Sequence, residues 1–174
     1  SNGTAALEVA VSSLNLKKGD EIIMPTFTII SCANAIIKSG LKPVLVDCNY
    51  DDWNMDLNNI EEKITNRTRA ILVVHIYGMS VNMKKIMQIK KKYNLKIIED
   101  NSEGLGLDYD GKKCGSFADI TTLSFYANKI VTTGEGGMVL CNKKSIYKRC
   151  LSIKNLFNLI FEKATNSKIN FIQI

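Results

Sequence analysis

Short apolar runs recur along the chain, and most of them do not alternate between apolar and polar positions. Runs of this kind are typical of strands buried on both faces, as in a mostly parallel sheet covered by helices. Each run ends at a charged, polar or glycine position that marks the end of a strand. The runs that predict strands are EIIMP, KPVLVDC, TRAILVVHIYG, LKIIED, DITTLSFY and GGMVLCN.

Four segments between these runs have the apolar spacing that is typical of helices. Gly40 is expected to end the second of them, and Asp56 to cap the start of the third. The alternation of strands and helices predicts an α/β fold with helices on both faces of the sheet. The four segments are GTAALEVAVSSL, IISCANAIIKSG, DLNNIEEKI and NMKKIMQIKKKYN.

The composition narrows the class of protein without identifying it. The 174 residues are 45% hydrophobic, which is enough for one globular domain with a sizeable core. No apolar run is long enough to span a membrane. Five widely spaced cysteines and a single histidine favour neither a disulfide framework nor a zinc site. We therefore expect a reducing, cytoplasmic setting.

Much of the net charge of +6 lies in the lysine-rich segment at residues 83–96. Such a segment is either a nucleic-acid contact or the solvated face of a helix. We favour the solvated face, because no aromatic or arginine residues are interleaved with the lysines. The sequence therefore predicts no nucleic-acid partner and no membrane partner.

Candidate site residues follow from the predicted sheet, because ligands of such sheets bind beyond the carboxyl ends of the strands. A lone histidine at a strand end is more often structural than catalytic. Cys32 and Cys114 are expected to be small buried hydrophobes, and Tyr50 and Trp53 to pack within a loop. The candidates at strand ends are Pro25-Thr26-Phe27, Asp47, His75-Ile76-Tyr77-Gly78, Glu99-Asp100 and the loop that carries Lys129.

Each of three features at this edge has a simpler structural interpretation when it is considered alone. Gly3-Thr4 precedes a helix whose free N–H groups form an anion site, although Thr4 alone is more simply interpreted as the helix cap. Asp100 ends an apolar strand, where a carboxylate needs good hydrogen-bond donors or a cation, but it is as often a cap. Lys129 is a candidate Schiff-base nucleophile, although a single loop lysine is more often solvated.

Together the three features predict a site for pyridoxal 5′-phosphate. The aldehyde of this cofactor reacts with an amine, an anion keeps its pyridine nitrogen protonated, and its phosphate binds a helix N-terminus. The chain offers one of each group at a predicted carboxyl edge.

A series of motifs carries a resemblance to a known family. Over residues 1–155 the chain resembles the large domain of the DegT/DnrJ/EryC1/StrS family of pyridoxal-phosphate-dependent nucleotide-sugar aminotransferases, and is most similar to its GDP-perosamine synthase branch. The resemblance implies a fold-type-I large domain, with three αβα layers and a mostly parallel sheet in which GGMVLC runs antiparallel. The motifs are SNGTAAL, MPTFTIISCANAIIKSG, PVLVD, ITNRTRAILVVHIYG, IIEDNSEGLG and GSFADITTLSFYANKIVTTGEGGMV.

The resemblance also implies roles for individual residues. Lys129 corresponds to the lysine that forms the Schiff base, and Asp100 to the partner of the pyridine nitrogen. Glu103 lies where family members place a residue beside the ring hydroxyl. The small residues of TTGEGG are expected to let the backbone pass close to the cofactor. The residues that correspond to phosphate ligands are Gly3, Thr4 and Ser124.

Two departures from the family pattern lie near these residues. Where the family commonly has an aromatic residue that stacks on the cofactor ring, this chain has Ile29, so either an aliphatic contact or Phe27 takes that role. Asn101 and Ser102 replace the pair of small residues that usually follows the site aspartate.

The resemblance implies transfer of an amino group, with glutamate as the donor, to a keto group of a nucleotide-linked 4-keto-6-deoxy sugar. We expect a homodimer in the full-length form. One alternative is a sugar dehydratase of the same family, but that subgroup has histidine in place of Lys129. The other is a truncated member with a binding or regulatory role.

The ends of the chain do not match the family pattern. We expect the large domain to be incomplete at its N-terminus, residues 156–174 to form an unassigned tail, and the small domain to be missing. The 174-residue chain alone is expected to bind the cofactor weakly or not at all, and to have no measurable aminotransferase activity.

Overall fold

The structure is a computed structural model that describes residues 2–165, with side chains described for residues 2–155. Six strands form the main sheet in the order β2-β1-β3-β4-β7-β8, and β5 pairs with β6 in a separate hairpin. All neighbours in the main sheet are parallel except β7 and β8, which are antiparallel, as predicted. The strands are β1 (Glu21–Pro25), β2 (Lys42–Val46), β3 (Thr68–Val74), β4 (Lys96–Asp100), β5 (Asp108–Tyr109), β6 (Lys112–Lys113), β7 (Ile120–Ser124) and β8 (Gly137–Cys141).

Helices cover both faces of the sheet, so the prediction of three αβα layers is confirmed. One core lies between the sheet and α1, α2 and α5, and a second core lies between the sheet and α3 and α4. Strand alternation divides the apolar residues between them: Ile22 and Met24 of β1 join the first core, and Ile23 joins the second. The helices are α1 (Gly3–Ser13), α2 (Ile30–Lys38), α3 (Ile60–Lys63), α4 (Met83–Tyr93) and α5 (Lys144–Thr165).

Two expectations about the segment between β2 and β3 are wrong. The helix predicted to start at Asp56 begins only at Ile60, because Asp56 accepts hydrogen bonds from the backbone of Asn58 and the side chain of Asn59. These bonds stabilise a turn in place of a helical start. Tyr50 does not pack within the loop, since it is 99% exposed.

The predicted domain boundary at residue 155 falls inside α5. This helix contacts the rest of the fold through Ile146, which is buried in the first core, and through Arg149, which donates to the carbonyl of Ser13 at the end of α1. The division into a large domain and an unassigned tail stays a prediction, and residues 166–174 lie outside the described part. Within that part, no helix has the length and apolar character needed to cross a bilayer.

Candidate active site

A cavity of about 340 Å³ lies at the carboxyl edge of the sheet, between the N-terminus of α1 and the ends of β4 and β7. Chain topology accounts for its position, because loops that follow parallel strands meet at one edge. The structure brings all six predicted site residues to the wall of this cavity. They are Gly3, Thr4, Asp100, Glu103, Ser124 and Lys129.

The start of α1 presents backbone N–H groups to this cavity. Asn2 caps the helix by accepting a hydrogen bond from the N–H of Ala5 at 3.0 Å. Thr4 is therefore not the cap, and its hydroxyl instead bonds the hydroxyl of Ser31 at 2.8 Å. The N–H groups of Gly3 and Thr4 belong to the first turn, which has no intrahelical acceptors, so they remain suited to an anion.

Close backbone packing explains the small residues around this helix start. A Cβ atom on Gly3 would lie 2.8 Å from Cβ and 2.9 Å from Oγ of Ser124. A Cβ atom on Gly137 would collide with the carbonyl of Asn2. The last glycine of TTGEGG thus lets β8 pass directly against the start of α1. The result is a cradle of backbone and hydroxyl groups, which has the chemistry of a phosphate site.

Asp100 is the buried anion of the cavity, with 2% of its surface exposed. Its Oδ1 accepts hydrogen bonds from the N–H of Ser102 at 3.1 Å, the hydroxyl of Ser102 at 2.6 Å and the hydroxyl of Thr122 at 3.3 Å. Its Oδ2 accepts from the thiol of Cys32 at 3.6 Å. None of the ion pairs formed among residues 2–155 involves Asp100. A buried carboxylate without a protein cation fits a cationic ligand group such as a protonated pyridine.

Lys129 lies in the loop between β7 and β8 with 17% of its side chain exposed. Its ammonium is 3.3 Å from Oε1 of Glu103, whose Oε2 accepts a hydrogen bond from the N–H of Tyr77 at 2.8 Å. Glu103 therefore joins the lysine loop to the turn after β3. This contact holds the amine at the wall of the cavity.

The position predicted to contact the cofactor ring holds an aliphatic residue. Ile29 lines the cavity and is 61% exposed. Phe27 instead packs against Trp53 at a ring-centroid distance of 5.3 Å and against Tyr77 at 6.0 Å. Of the two alternatives for the stacking contact, this arrangement favours Ile29.

His75 has the surroundings of a structural residue. It is fully buried, and its Nδ1 accepts a hydrogen bond from the N–H of Val81. The proton therefore sits on Nε2, which donates to Glu99 at 2.8 Å. The side chain of Glu99 points to the face of the sheet opposite to Asp100, as strand alternation requires.

The sequence did not predict the residues that surround Asp100. Ser102 follows the aspartate by two residues, a spacing that favours such a side-chain turn. Thr122 lies directly opposite Asp100 in the register of β4 and β7, which only strand pairing reveals. Cys32 was expected to be a plain hydrophobe, and only the packing of α2 on the sheet brings its thiol to the carboxylate.

A three-layer fold with this cradle, this carboxylate and this lysine at one sheet edge defines the class: the large domain of a fold-type-I pyridoxal-phosphate enzyme. The residues fit the cofactor at its phosphate, its ring nitrogen and its aldehyde. The chain belongs to the DegT/DnrJ/EryC1/StrS aminotransferase family, whose model matches residues 1–163.

Relatives in the family support this assignment. GDP-perosamine synthase of Escherichia coli O157:H7 is 49% identical over 154 residues, which cover 88% of this chain and 42% of that protein. GDP-perosamine synthase of Caulobacter vibrioides is 45% identical over 141 residues, which cover 81% of this chain and 38% of that protein. The chain spans about two fifths of the length of these relatives.

A solved structure carries the cofactor in its aminated form. NtdA from Bacillus subtilis with bound pyridoxamine phosphate superposes with a TM-score of 0.81 at 38% identity, covering 87% of this chain and 34% of that chain. The family match and this structure agree with the prediction of a pyridoxal-phosphate site.

Proposed function

We propose that the full-length protein is a pyridoxal-phosphate-dependent aminotransferase that moves an amino group, with glutamate as donor, to a keto group of a nucleotide-linked 4-keto-6-deoxy sugar. One observation carries the proposal: a buried carboxylate with no cation partner among residues 2–155 and a lysine with only 17% of its side chain exposed line the same cavity as an open helix N-terminus. The GDP-perosamine synthases among the relatives, which number at least three, favour a GDP-linked sugar. A cytoplasmic homodimer is part of this proposal.

Different groups of the chain bind different parts of the cofactor in this proposal. When bound, the cofactor supplies an aldehyde that captures amines and a ring that withdraws electrons from the adjacent carbon. The N–H groups of Gly3 and Thr4 and the hydroxyl of Ser124 hold the phosphate. Asp100 holds a proton on the ring nitrogen and so maintains the electron-withdrawing form.

Lys129 has two functions in this proposal. Its amine binds the aldehyde and thereby anchors the cofactor. Once the amino donor had displaced it, the free amine would take the proton from the α-carbon of the donor and deliver it to the aldehyde carbon of the cofactor, two bonds away across the nitrogen. Glu103, 3.3 Å from the amine, keeps it directed at the cavity between these events.

The experiment is the glutamate half-reaction on the protein in its complete reading frame, followed by absorbance. We expect glutamate to convert the lysine-bound cofactor into its aminated form, and Lys129→Ala to abolish both the covalent attachment and the conversion. Lys91→Ala on α4, in the opposite helix layer, is the matched control and is expected to behave as wild type. Conversion by Lys129→Ala at the wild-type rate would contradict the proposal, and a wild-type protein without cofactor would favour the binding or regulatory alternative.

A further inference from the structure

Cys32 lies directly behind the anion of the cavity. It belongs to α2 and is fully buried. Its Sγ is 3.6 Å from Oδ2 of Asp100 and 3.5 Å from the hydroxyl oxygen of Thr28. The sulfur therefore bridges a cavity-lining threonine and the site carboxylate.

The direction of these two hydrogen bonds follows from the number of protons. An ionised carboxylate only accepts, so the single proton of the thiol points to Asp100. The sulfur is then left as an acceptor for the hydroxyl of Thr28. Burial, together with the charge of Asp100, raises the pKa of Cys32, so the thiol keeps its proton at neutral pH.

The two carboxylate oxygens of Asp100 are held unequally. Oδ1 receives three hydrogen bonds from Ser102 and Thr122. Oδ2 receives one, from Cys32, and keeps a lone pair for a ligand. Donors on both oxygens fix the rotation of the carboxylate, and the thiol is the donor that acts on the less occupied oxygen.

We infer that Cys32 is a positioning residue, whose thiol orients Asp100 so that Oδ2 faces the ring nitrogen of the cofactor. The inference rests on the proposed function for the identity of the ligand. It gives a role to a buried cysteine that composition alone marks as a hydrophobe. Thr28 supports the same arrangement by donating to the sulfur.

The first test measures pyridoxal-phosphate affinity on the full-length protein. Cys32→Ala, which removes the donor, is expected to weaken binding about threefold to tenfold, the range for one typical hydrogen bond, since a thiol is a weak donor. Cys32→Ser keeps a donor and is expected to bind within about twofold of wild type. Cys114→Ala is the matched control, because Cys114 is also buried and lies on the other face of the sheet, near Glu99. Equal affinity of Cys32→Ala and wild type would overturn the inference.

The second test needs no cofactor. The S–H stretching band lies in an infrared region free of other protein absorption, and its Cys32 component is assigned by its loss in Cys32→Ser. In the apo protein, Asp100→Ala is expected to move that component to higher frequency, because the thiol loses its acceptor. An unmoved band would contradict the contact. A moved band in a protein that binds no pyridoxal phosphate would uphold the contact and reject the proposed function instead.

Discussion

Glu99 and Asp100 are adjacent carboxylates at the end of β4, and both are buried. Glu99 faces the α4 layer, where His75 and the N–H of Gly115 donate to its Oε1. Asp100 faces the α1 layer, where small donors hold Oδ1 and the cavity lies before Oδ2. Burial and charge therefore do not identify the functional carboxylate. Access to the cavity distinguishes Asp100 from its neighbour, because Asp100 lines it and Glu99 does not.

The largest expected effect is the loss of stability when the side chain of Glu99 is removed. Glu99→Ala leaves His75 and Gly115 without their acceptor in a dry interior. We expect the free energy of unfolding to fall by about 2–6 kcal/mol, because each of the two buried donors left without an acceptor costs about 1–3 kcal/mol. Urea unfolding measures this loss.

Two further variants make the Glu99 result interpretable. Glu99→Gln keeps an acceptor oxygen and is expected to lose less, which matters if the alanine variant does not fold. The exposed Glu62→Ala should stay within about 0.5 kcal/mol of wild type. A Glu99→Ala protein as stable as wild type would remove the structural role.

The second effect is the loss of transamination when the side chain of Asp100 is removed. Asp100→Ala removes the anion opposite the ring nitrogen, and we expect transamination to fall at least about 100-fold, or about 2.7 kcal/mol. The unfolding midpoint should change much less than in Glu99→Ala. The measurement is the rate of the glutamate half-reaction, with exposed Asp108→Ala as the control. Near-normal turnover would reduce Asp100 to a strand-end cap.

Asp119 is a third buried carboxylate. Unlike Asp100 within residues 2–155, it is paired with cations of the protein. Asp119 lies 2.7 Å from the ammonium of Lys90 and 3.0 Å from that of Lys143, and it accepts a hydrogen bond from the N–H of Ile97. Burial raises the pKa of Asp119, but these partners outweigh it and lower the pKa from 3.8 to about 2. This carboxylate is thus satisfied without a ligand.

The pH dependence of stability follows from that lowered pKa. The contribution of Asp119 is present above pH 3.8 and is lost as the pH falls toward 2. Asp119→Asn is therefore expected to lose on the order of 1–2 kcal/mol at pH 7 and much less near pH 2. Urea unfolding at both pH values measures the difference. An equal loss at the two values would show that the charge of Asp119 is not the cause.

The smallest expected effect is on the rate of the half-reaction when Glu103, which lies beside Lys129, loses its charge. Glu103→Gln keeps the hydrogen-bonding shape but removes the charge beside Lys129. We expect the half-reaction to slow about twofold to fivefold, since a partly exposed ion pair contributes about 1 kcal/mol or less. Glu135→Gln, which lines the same cavity, is the control. A loss as large as that of Asp100→Ala would give Glu103 a direct part in the chemistry.

The sequence predicted the main features of the fold and the composition of the cavity for a simple reason. Apolar runs such as LKIIED mark buried parallel strands, and polar residues that follow them must meet at one edge. Residues whose roles do not follow from the order of strands along the chain were not predicted. Asn2 was not recognised as the cap of α1, and local turn bonds at Asp56 displaced the start of α3. The contact of Cys32 with Asp100 joins residues 68 positions apart, which no local pattern contains.

The central claim is that Lys129 binds pyridoxal phosphate in the cavity that Asp100 also lines. The most direct test is to load the full-length protein with the cofactor, reduce it with borohydride, digest it and locate the modified lysine by mass spectrometry. We predict a single pyridoxyl group on Lys129 and none in Lys129→Ala. A pyridoxyl group on any other lysine, or none on the wild-type protein, would contradict the account.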